Sequence, residues 1–253
     1  MIRSSVRRIA GMARSLAIYH GQVWRRRRMA AFYGQFVGEG ELCFDIGAHA
    51  GNRIRAFTRL GAKVVAIEPQ PAFYRLLRRL YGRRDDVILL SCGVADRPGE
   101  LEMLVSSRNP TVSTFSPAWI DDVTADPRFA RVDWDERVRV PVETLDALIA
   151  RYGEPAFCKI DVEGYEEQVL AGLSTPLRAL SFEYVAIAKH RAAACVDRLL
   201  ELGDYRFRWS SVESMRFNDE TWQRGDDIKS ILAELPTTAR SGDIYALRTD
   251  QLA

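Results

Sequence analysis

From residue 41 onward, short apolar runs alternate with stretches of helical periodicity, the pattern of a parallel sheet with helices on its faces. Leu42 to Ile46 reads as a first strand, followed by a Gly-rich turn and a helix over Asn52 to Leu60. Lys63 to Glu68 is a second strand, and Pro71 opens a helix at a position where its missing N–H costs nothing. Val87 to Cys92 is a third strand. After it the pattern changes: Asp96 to Gly99 is a turn and Glu100 to Val105 alternates, so a hairpin replaces the expected crossover helix. Residues 106–137 are rich in Ser, Thr, Asn, Pro and Asp, with Phe115, Trp119, Phe129 and Trp134 among them. They read as a long loop anchored by aromatics. Val138 to Val142 is extended, and Thr144 suits the N-cap of a helix over Leu145 to Arg151. Ala156 to Val162 is a fourth core strand, Leu180 to Tyr184 a fifth, each followed by a helix. Tyr205 to Ser210 and Asp243 to Arg248 close the sheet around a polar segment. Seven core strands with helices between them make one doubly wound domain.

Charge changes this picture at the N-terminus. The net charge of +2 over 253 residues is bland, but residues 1–38 hold eight arginines and no acid, leaving a body that is net acidic. The chain divides into a basic arm, residues 1–36, and a domain, residues 37–253. Ile2, Val6, Ile9, Ala13, Leu16 and Ala17 recur in the arm at helical intervals, an amphipathic pattern suited to an anionic membrane surface or to docking on the body. Nucleic acid is disfavoured by the acidic body. The arm lacks the compact apolar segment of a secretory signal, and no run of about 18 apolar residues exists to span a bilayer. Cys43, Cys92, Cys158 and Cys195 are widely spaced in apolar stretches and read as buried free thiols of a reducing compartment. The expected location is the cytoplasm, with the arm at the inner face of the membrane. His20 and His190 have no obvious partners and read as surface residues.

Three sites carry chemistry. The turn Asp45-Ile46-Gly47-Ala48-His49-Ala50-Gly51-Asn52 lets the backbone turn sharply and approach a ligand, in front of a helix N-terminus. Glu68, followed by Pro69, ends the second strand beside that loop, where a carboxylate accepts hydrogen bonds from both ribose hydroxyls. The G-x-G-x-x-G fingerprint of pyrophosphate binders is missing, which favours S-adenosylmethionine over NAD. At the end of strand four, Lys159-Ile160-Asp161-Val162-Glu163-Gly164 places two carboxylates at the sheet's topological switch. Lys159 shares a strand face with Asp161, as a structural ion pair or a functional one. Glu183, at the end of strand five, is a further carboxylate on that rim. Only four lysines occur in the chain, so Lys159 stands out.

The blocks Phe44 to Gly51, Ala66-Ile67-Glu68-Pro69-Gln70-Pro71, Val142 to Asp146, Cys158 to Glu166 and Val169 to Gly172 resemble, in order, the signatures of the FkbM family of S-adenosylmethionine-dependent methyltransferases, over about residues 36–248. The resemblance implies the class I methyltransferase (Rossmann-like) α/β fold: a seven-stranded, mostly parallel doubly wound sheet whose last strand runs antiparallel, here with a hairpin insertion after strand three. It implies methyl transfer from S-adenosyl-L-methionine to a hydroxyl of a sugar, glycolipid or related metabolite. Gly47 and Gly51, with Asp45, Ala48, His49 and Asn52, would line the methionine end of the cofactor. Glu68 and Pro69 would take the ribose, and Cys92, Gly93 and Val94 would flank adenine. Asp161 would sit near the amino group or the transferring methyl. The family commonly has Asn where this chain has His49, a departure that bears on that side chain's contact with the cofactor. Glu163 or Asp161 is the candidate base, with Lys159 and Glu183 as positioning partners. No metal is assigned, although several carboxylates on one rim could hold Mg²⁺. Arg108, Asn109, Thr111, Ser113 and Thr114 offer donors for a sugar-like acceptor, and Trp119 and Trp134 could stack on it. The rivals are a catalytically silent cofactor-binding module acting through the arm and, less favoured, an NAD-dependent Rossmann oxidoreductase.

Overall fold

The computed structural model describes residues 23–252; the periodic arm positions Ile2 to Ala17 and His20 lie outside them. The first described element is helix α1 (Val23–Tyr33), followed in chain order by β1 (Leu42–Ile46), α2 (Asn52–Arg59), β2 (Lys63–Ile67), α3 (Pro71–Tyr81), β3 (Val87–Leu90), β4 (Gly93–Val94) and β5 (Gly99–Val105). Then come α4 (Pro117–Thr124), β6 (Glu136–Glu143), α5 (Leu145–Tyr152), β7 (Phe157–Ile160), α6 (Glu166–Ala171), β8 (Ala179–Tyr184), α7 (Lys189–Leu202), β9 (Tyr205–Ser211), α8 (Gly225–Glu234) and β10 (Gly242–Arg248).

The main sheet has seven strands in the order β3-β2-β1-β7-β8-β10-β9, and only β10 runs against its neighbours. This is the class I methyltransferase architecture expected from the sequence. β1, β2, β7 and β8 are covered by helices on both faces, so nearly every position along them is buried and their sequences are continuous apolar runs. Chain order reverses between β1 and β7, where Ile46 pairs with Ile160, and a crevice opens past the carboxyl ends of these two strands.

Residues 100–105 form a strand as expected, but its partner is distant in sequence. β5 pairs antiparallel with β6, from Gly99 opposite Val142 to Val105 opposite Glu136, and β4 adds to the other edge of β6 in parallel. The intervening segment is not one loop. It contains α4, whose N-cap Ser116 accepts a hydrogen bond from the Trp119 N–H at 3.1 Å. Trp119 is 1% exposed, edge-on to Phe129 and Trp134, in a satellite core with Val123 and Ala188. The indole of Trp119 is therefore core and has no face for a sugar. A second helix absent from the sequence reading, α8, buries Ile228 and Leu232 in the main core. Its Gly225 lies so near Leu200 of α7 that a Cβ there would come within 2.4 Å.

The end of the segment read as the arm belongs to the domain's core. Met29, Ala30, Phe32, Tyr33, Phe36 and Val37 are buried against Phe57, Phe157 and Tyr245. The four cysteines are free and buried.

Candidate active site

Three glycines in two loops bring the crevice together. Gly47 has φ +85°, and a Cβ on it would lie 1.9 Å from the Asp161 carbonyl oxygen, so only glycine lets the β1 loop close on the β7 loop. Gly51 (φ +78°) is pressed against Leu77 and Tyr81, whose hydroxyl donates to the Gly51 carbonyl at 2.9 Å. On the β7 side, Glu163 has φ +54° and Gly164 φ +84°, a left-handed pair. The Glu166 carboxylate holds this pair in place, accepting from the Val162 N–H at 3.1 Å and the Gly164 N–H at 3.3 Å, while the Thr114 hydroxyl donates to the Glu163 carbonyl at 2.7 Å.

The resulting cleft has about 610 Å³ of empty space, counting the part open to solvent. Of the residues singled out in the sequence, Gly47, His49, Asn52, Glu68, Pro69, Thr111, Ser113, Phe115, Asp161 and Glu163 line it. Asp45, Ala48 and Gly51 are buried just behind, shaping the loop. Cys92, Gly93 and Val94 are not on its wall. β4 pairs with Val142 and Glu143, and the Phe115 ring stands 2.9 Å from where a Gly93 Cβ would be, so Phe115, Met103, Thr111 and Ser113 supply that wall instead. Thr114 is committed to Glu163. Gln70, quoted in the sequence only as part of the Ala66 to Pro71 block, lines the cleft and ties its two walls by donating to the Pro110 carbonyl at 3.1 Å.

Glu68 is 2% exposed. One carboxylate oxygen accepts from the His49 N–H at 2.7 Å and the other from the Gln70 N–H at 2.8 Å. Burial pushes its pKa up to about 7 against the pull of those two bonds, with Asp45 adding to the rise. Each oxygen keeps a lone pair for a donor in the cleft. His49, at φ +45°, packs its ring 3.9 Å from that of Phe73. Burial lowers its pKa to about 4, so it is a neutral imidazole near pH 7.

Behind the cleft is a chain of buried charges. Lys159 is completely buried, so it touches no ligand. Its Nζ donates to Asp243 at 2.7 Å and lies 3.3 Å from Asp161. Burial opposes its charge, but Asp161 and Asp243 outweigh burial and raise its pKa. Arg53, 8% exposed, puts Nη1 2.8 Å from Glu213 and Nη2 3.6 Å from Asp161. Each cation is thus anchored by a carboxylate of its own and lies farther from Asp161. Burial raises the Asp161 pKa, yet Lys159 and then Arg53 reverse this and hold it ionised. Its neighbours behave oppositely. Burial, with Asp161 and Glu166, raises Glu163 well above the usual carboxylate range, and burial with Glu163 and Asp161 does the same to Glu183. Oxygens of Asp161, Glu163 and Glu183 lie within 4.8 Å of one another, a set able to hold either a shared proton or a divalent cation. Glu183 is set behind the loop, in a smaller cavity with Glu166 and Trp119. His190 is exposed, 3.5 Å from Asp122.

Asp243, Glu213, Arg53 and Glu166 were given no role in the sequence reading. A charge in the apolar strand Gly242–Arg248 was the one available signal for Asp243. Glu213 lies 160 residues from Arg53, with nothing local to link them.

The residues present suit the cofactor expected from the sequence: the buried acceptor pair of Glu68 and the ionised carboxylate of Asp161 both border the cleft, suited to ribose hydroxyls and to a cationic group.

Among solved structures, the chain is similar to a TehB-like SAM-dependent methyltransferase from Corynebacterium glutamicum (11% identity, 98% of this chain and 99% of that one, TM-score 0.47). It is also similar to the O-methyltransferase from Bacillus cereus in complex with SAH (12%, 94% and 90%, TM-score 0.45). A third is a precorrin-6y C5,15-methyltransferase from Geobacter metallireducens (13%, 87% and 87%, TM-score 0.44). No curated protein sequence matches the chain. Residues 45–235 match the family described as "Methyltransferase FkbM domain", a span that runs from the β1 loop through every cleft-lining residue to the end of α8, and the chain therefore belongs to the FkbM methyltransferase family.

Proposed function

We propose that the protein is an S-adenosylmethionine-dependent O-methyltransferase whose acceptor is a hydroxyl of a sugar, glycolipid or related metabolite. The observation that carries this reading is the split between adjacent carboxylates: Asp161 ionised by two buried cations, Glu163 two residues on with a raised proton affinity, both on one cleft wall. The cofactor supplies a methyl group made electrophilic by a sulfonium centre. Glu68 would hold the ribose, Pro69, Met103 and Phe115 the base, and Asp161 the cationic amino-acid end. Glu163 is the general base. Glu163 would take the acceptor hydroxyl's proton as the methyl group is transferred, its proton affinity raised first by burial and then by the charges of Asp161 and Glu166. Thr111 and Ser113 offer hydroxyls to a polar acceptor, with Phe115 as an apolar face.

We place the enzyme in the cytoplasm, its arginine arm touching the inner face of the membrane, where a lipid-linked acceptor would be found. No described helix is long and apolar enough to cross a bilayer.

Calorimetry with S-adenosylmethionine, S-adenosylhomocysteine and NAD, followed by a labelled-methyl screen on glycans, tests the reading. Binding of the first two and label on a hydroxyl are expected, with turnover unchanged by EDTA because Glu163 carries the proton without a metal. NAD binding alone sinks it. Cofactor binding with no acceptor methylated would instead favour a silent binding module.

A further inference from the structure

We propose that the outer side of the helix layer α1–α3 docks on an anionic phospholipid bilayer and brings the cleft to it. This goes beyond the role given to residues 1–36, because the surface belongs to the folded domain. The helices divide by charge across the main sheet. α1, α2 and α3 pack on one face, where Met29, Ile54, Phe57 and Leu77 share a core with Cys43, Val64 and Ala66. α5 to α8 share the core of the other face with Phe44, Val65 and Ile67, the alternate positions of the same strands. α1–α3 carry ten arginines and no acid, whereas α5–α8 carry eight acids and five bases. Over the whole chain, residues 1–84 hold 17 bases and 4 acids and residues 85–253 hold 19 and 30, a separation that the net charge hides.

The arginines of this layer are also unpaired. Arg27, Arg28, Arg59, Arg75, Arg78 and Arg79 are exposed, and none has an ion-pair partner among the described residues. Between Glu41 and Asp85 the chain's only acids are Asp45 and Glu68, 1% and 2% exposed. Of the flanking acids, Glu41 is engaged by Arg178 and Asp86 by Arg84. On the opposite layer the cations have acids of their own: Arg151 has Glu143, Arg198 has Glu201 and Lys229 has Asp197. Unpaired arginines complement an acidic bilayer, each strengthening the contact about fivefold. Leu80 directly follows Arg79 and is 45% exposed, the most of any large apolar side chain described. Arginines around an exposed aliphatic side chain suit the boundary between headgroups and acyl chains. A single-stranded nucleic acid stacks on exposed aromatic rings, and the exposed large apolar side chains among the described residues are Leu80, Ile88, Leu200 and Leu252. Position gives the contact its use. α2 and α3 both start at the cleft, beside Asn52 and Gln70, so a bilayer along their outer sides comes within one helix length of it, about 16 Å for α3. The acidic remainder of the chain is repelled and turns away.

Sedimentation of the full chain with vesicles tests the surface. Wild-type protein should pellet with vesicles of phosphatidylcholine and phosphatidylserine in equal parts, less so as salt is raised, and should stay in solution with phosphatidylcholine alone. A triple variant, Arg75→Gln, Arg78→Gln and Arg79→Gln, should bind the acidic vesicles about 10- to 100-fold more weakly. A control that loses the same charge elsewhere, Arg131→Gln, Arg216→Gln and Arg240→Gln, should stay within about threefold of wild type. All six side chains are exposed, so both variants should melt as wild type does. Equal binding by the two variants overturns the surface: near the wild-type level, residues 1–36 alone would hold the membrane, and at an equally weakened level net charge alone would. Failure of wild-type protein to bind acidic vesicles overturns it too. So does displacement of the vesicles by a homopolymeric RNA that binds more tightly, which would assign the layer to nucleic acid. None of these outcomes depends on methyl transfer, which calorimetry and the labelled-methyl screen test separately.

Discussion

The two walls of the cleft are built on different principles. The wall formed by the ends of β1, β2 and β7 is a set of charges held in a nearly rigid sheet. Lys159 is anchored by Asp243, Arg53 by Glu213, and the loops close through glycines that no other residue could replace without moving backbone. The facing wall, from β5 and residues 110–116, is apolar and hydroxylic. Met103, Thr111, Ser113 and Phe115 reach the cleft, and Met103 and Phe115 are supported by a separate small core with Val105, Val140 and Val142. One wall sets protonation states and the other sets shape. The walls touch at few points, notably Thr114 to Glu163 and Trp119 against Gly164.

The largest effect should come from Glu163→Gln. If the charged wall does the chemistry, turnover falls by about 10²- to 10⁴-fold while cofactor affinity stays within about threefold, read by single-turnover kinetics beside calorimetry. Because a base acts ionised and the pKa of Glu163 is raised, wild-type kcat should increase with pH up to that pKa, and the variant should lose the slope. More than a tenth of wild-type turnover in Glu163→Gln would move the base elsewhere.

Gly164→Ala probes the seam between the walls. The new Cβ would lie 2.0 Å from the Trp119 ring, at a φ of +84° that alanine resists. The two costs together should destabilise by about 3 kcal/mol, lowering Tm by roughly 10 °C in a domain of this size. A variant melting within about 2 °C of wild type would show that Trp119 yields easily and that the shaping wall is soft.

The same contrast explains what could be read in the chain. The charged wall was legible because each loop directly follows a core strand: Asp45, Glu68, Asp161 and Glu163 stand at or just past strand ends, where apolar runs give way to carboxylates and glycines. The sheet itself followed from those runs, since strands covered on both faces have continuous apolar sequences. The shaping wall was legible only in part: Thr111 and Ser113, named from the sequence, do reach the cleft. β5 finds its partner in β6 across some thirty residues, and Phe115 and Met103, which no local spacing marks, stand on the cleft wall where Cys92, Gly93 and Val94 do not. Trp119 illustrates the point: an aromatic in a polar segment can face a ligand or nucleate a small core, and only the positions of Phe129, Trp134 and Ala188 decide. The counterions Asp243 and Glu213 were missed because ion pairing across the sheet leaves no periodicity.

The smallest effect is the most discriminating for the charged wall. Glu68 is an acceptor in the binding role assigned to it, so it must be ionised when the ribose hydroxyls donate, yet burial raises its pKa to about 7 in the free protein. Below that pH the folded protein must release a proton to bind, so cofactor affinity should fall with acidity through neutrality. The limit is about tenfold per pH unit, and about threefold is expected between pH 7.5 and 6.5. Asp45, the one charged neighbour that raises Glu68, itself titrates near 6, and Glu166 near 7 lies on the β7 loop, so the dependence needs a control that isolates Glu68. Glu68→Gln provides it, because an amide keeps one acceptor oxygen and cannot titrate. Affinity should be lower throughout and flat between pH 6.5 and 7.5. A wild-type profile as flat as the variant's would mean that Glu68 is already ionised by its two backbone bonds, and that those bonds outweigh burial in setting the charge of this wall.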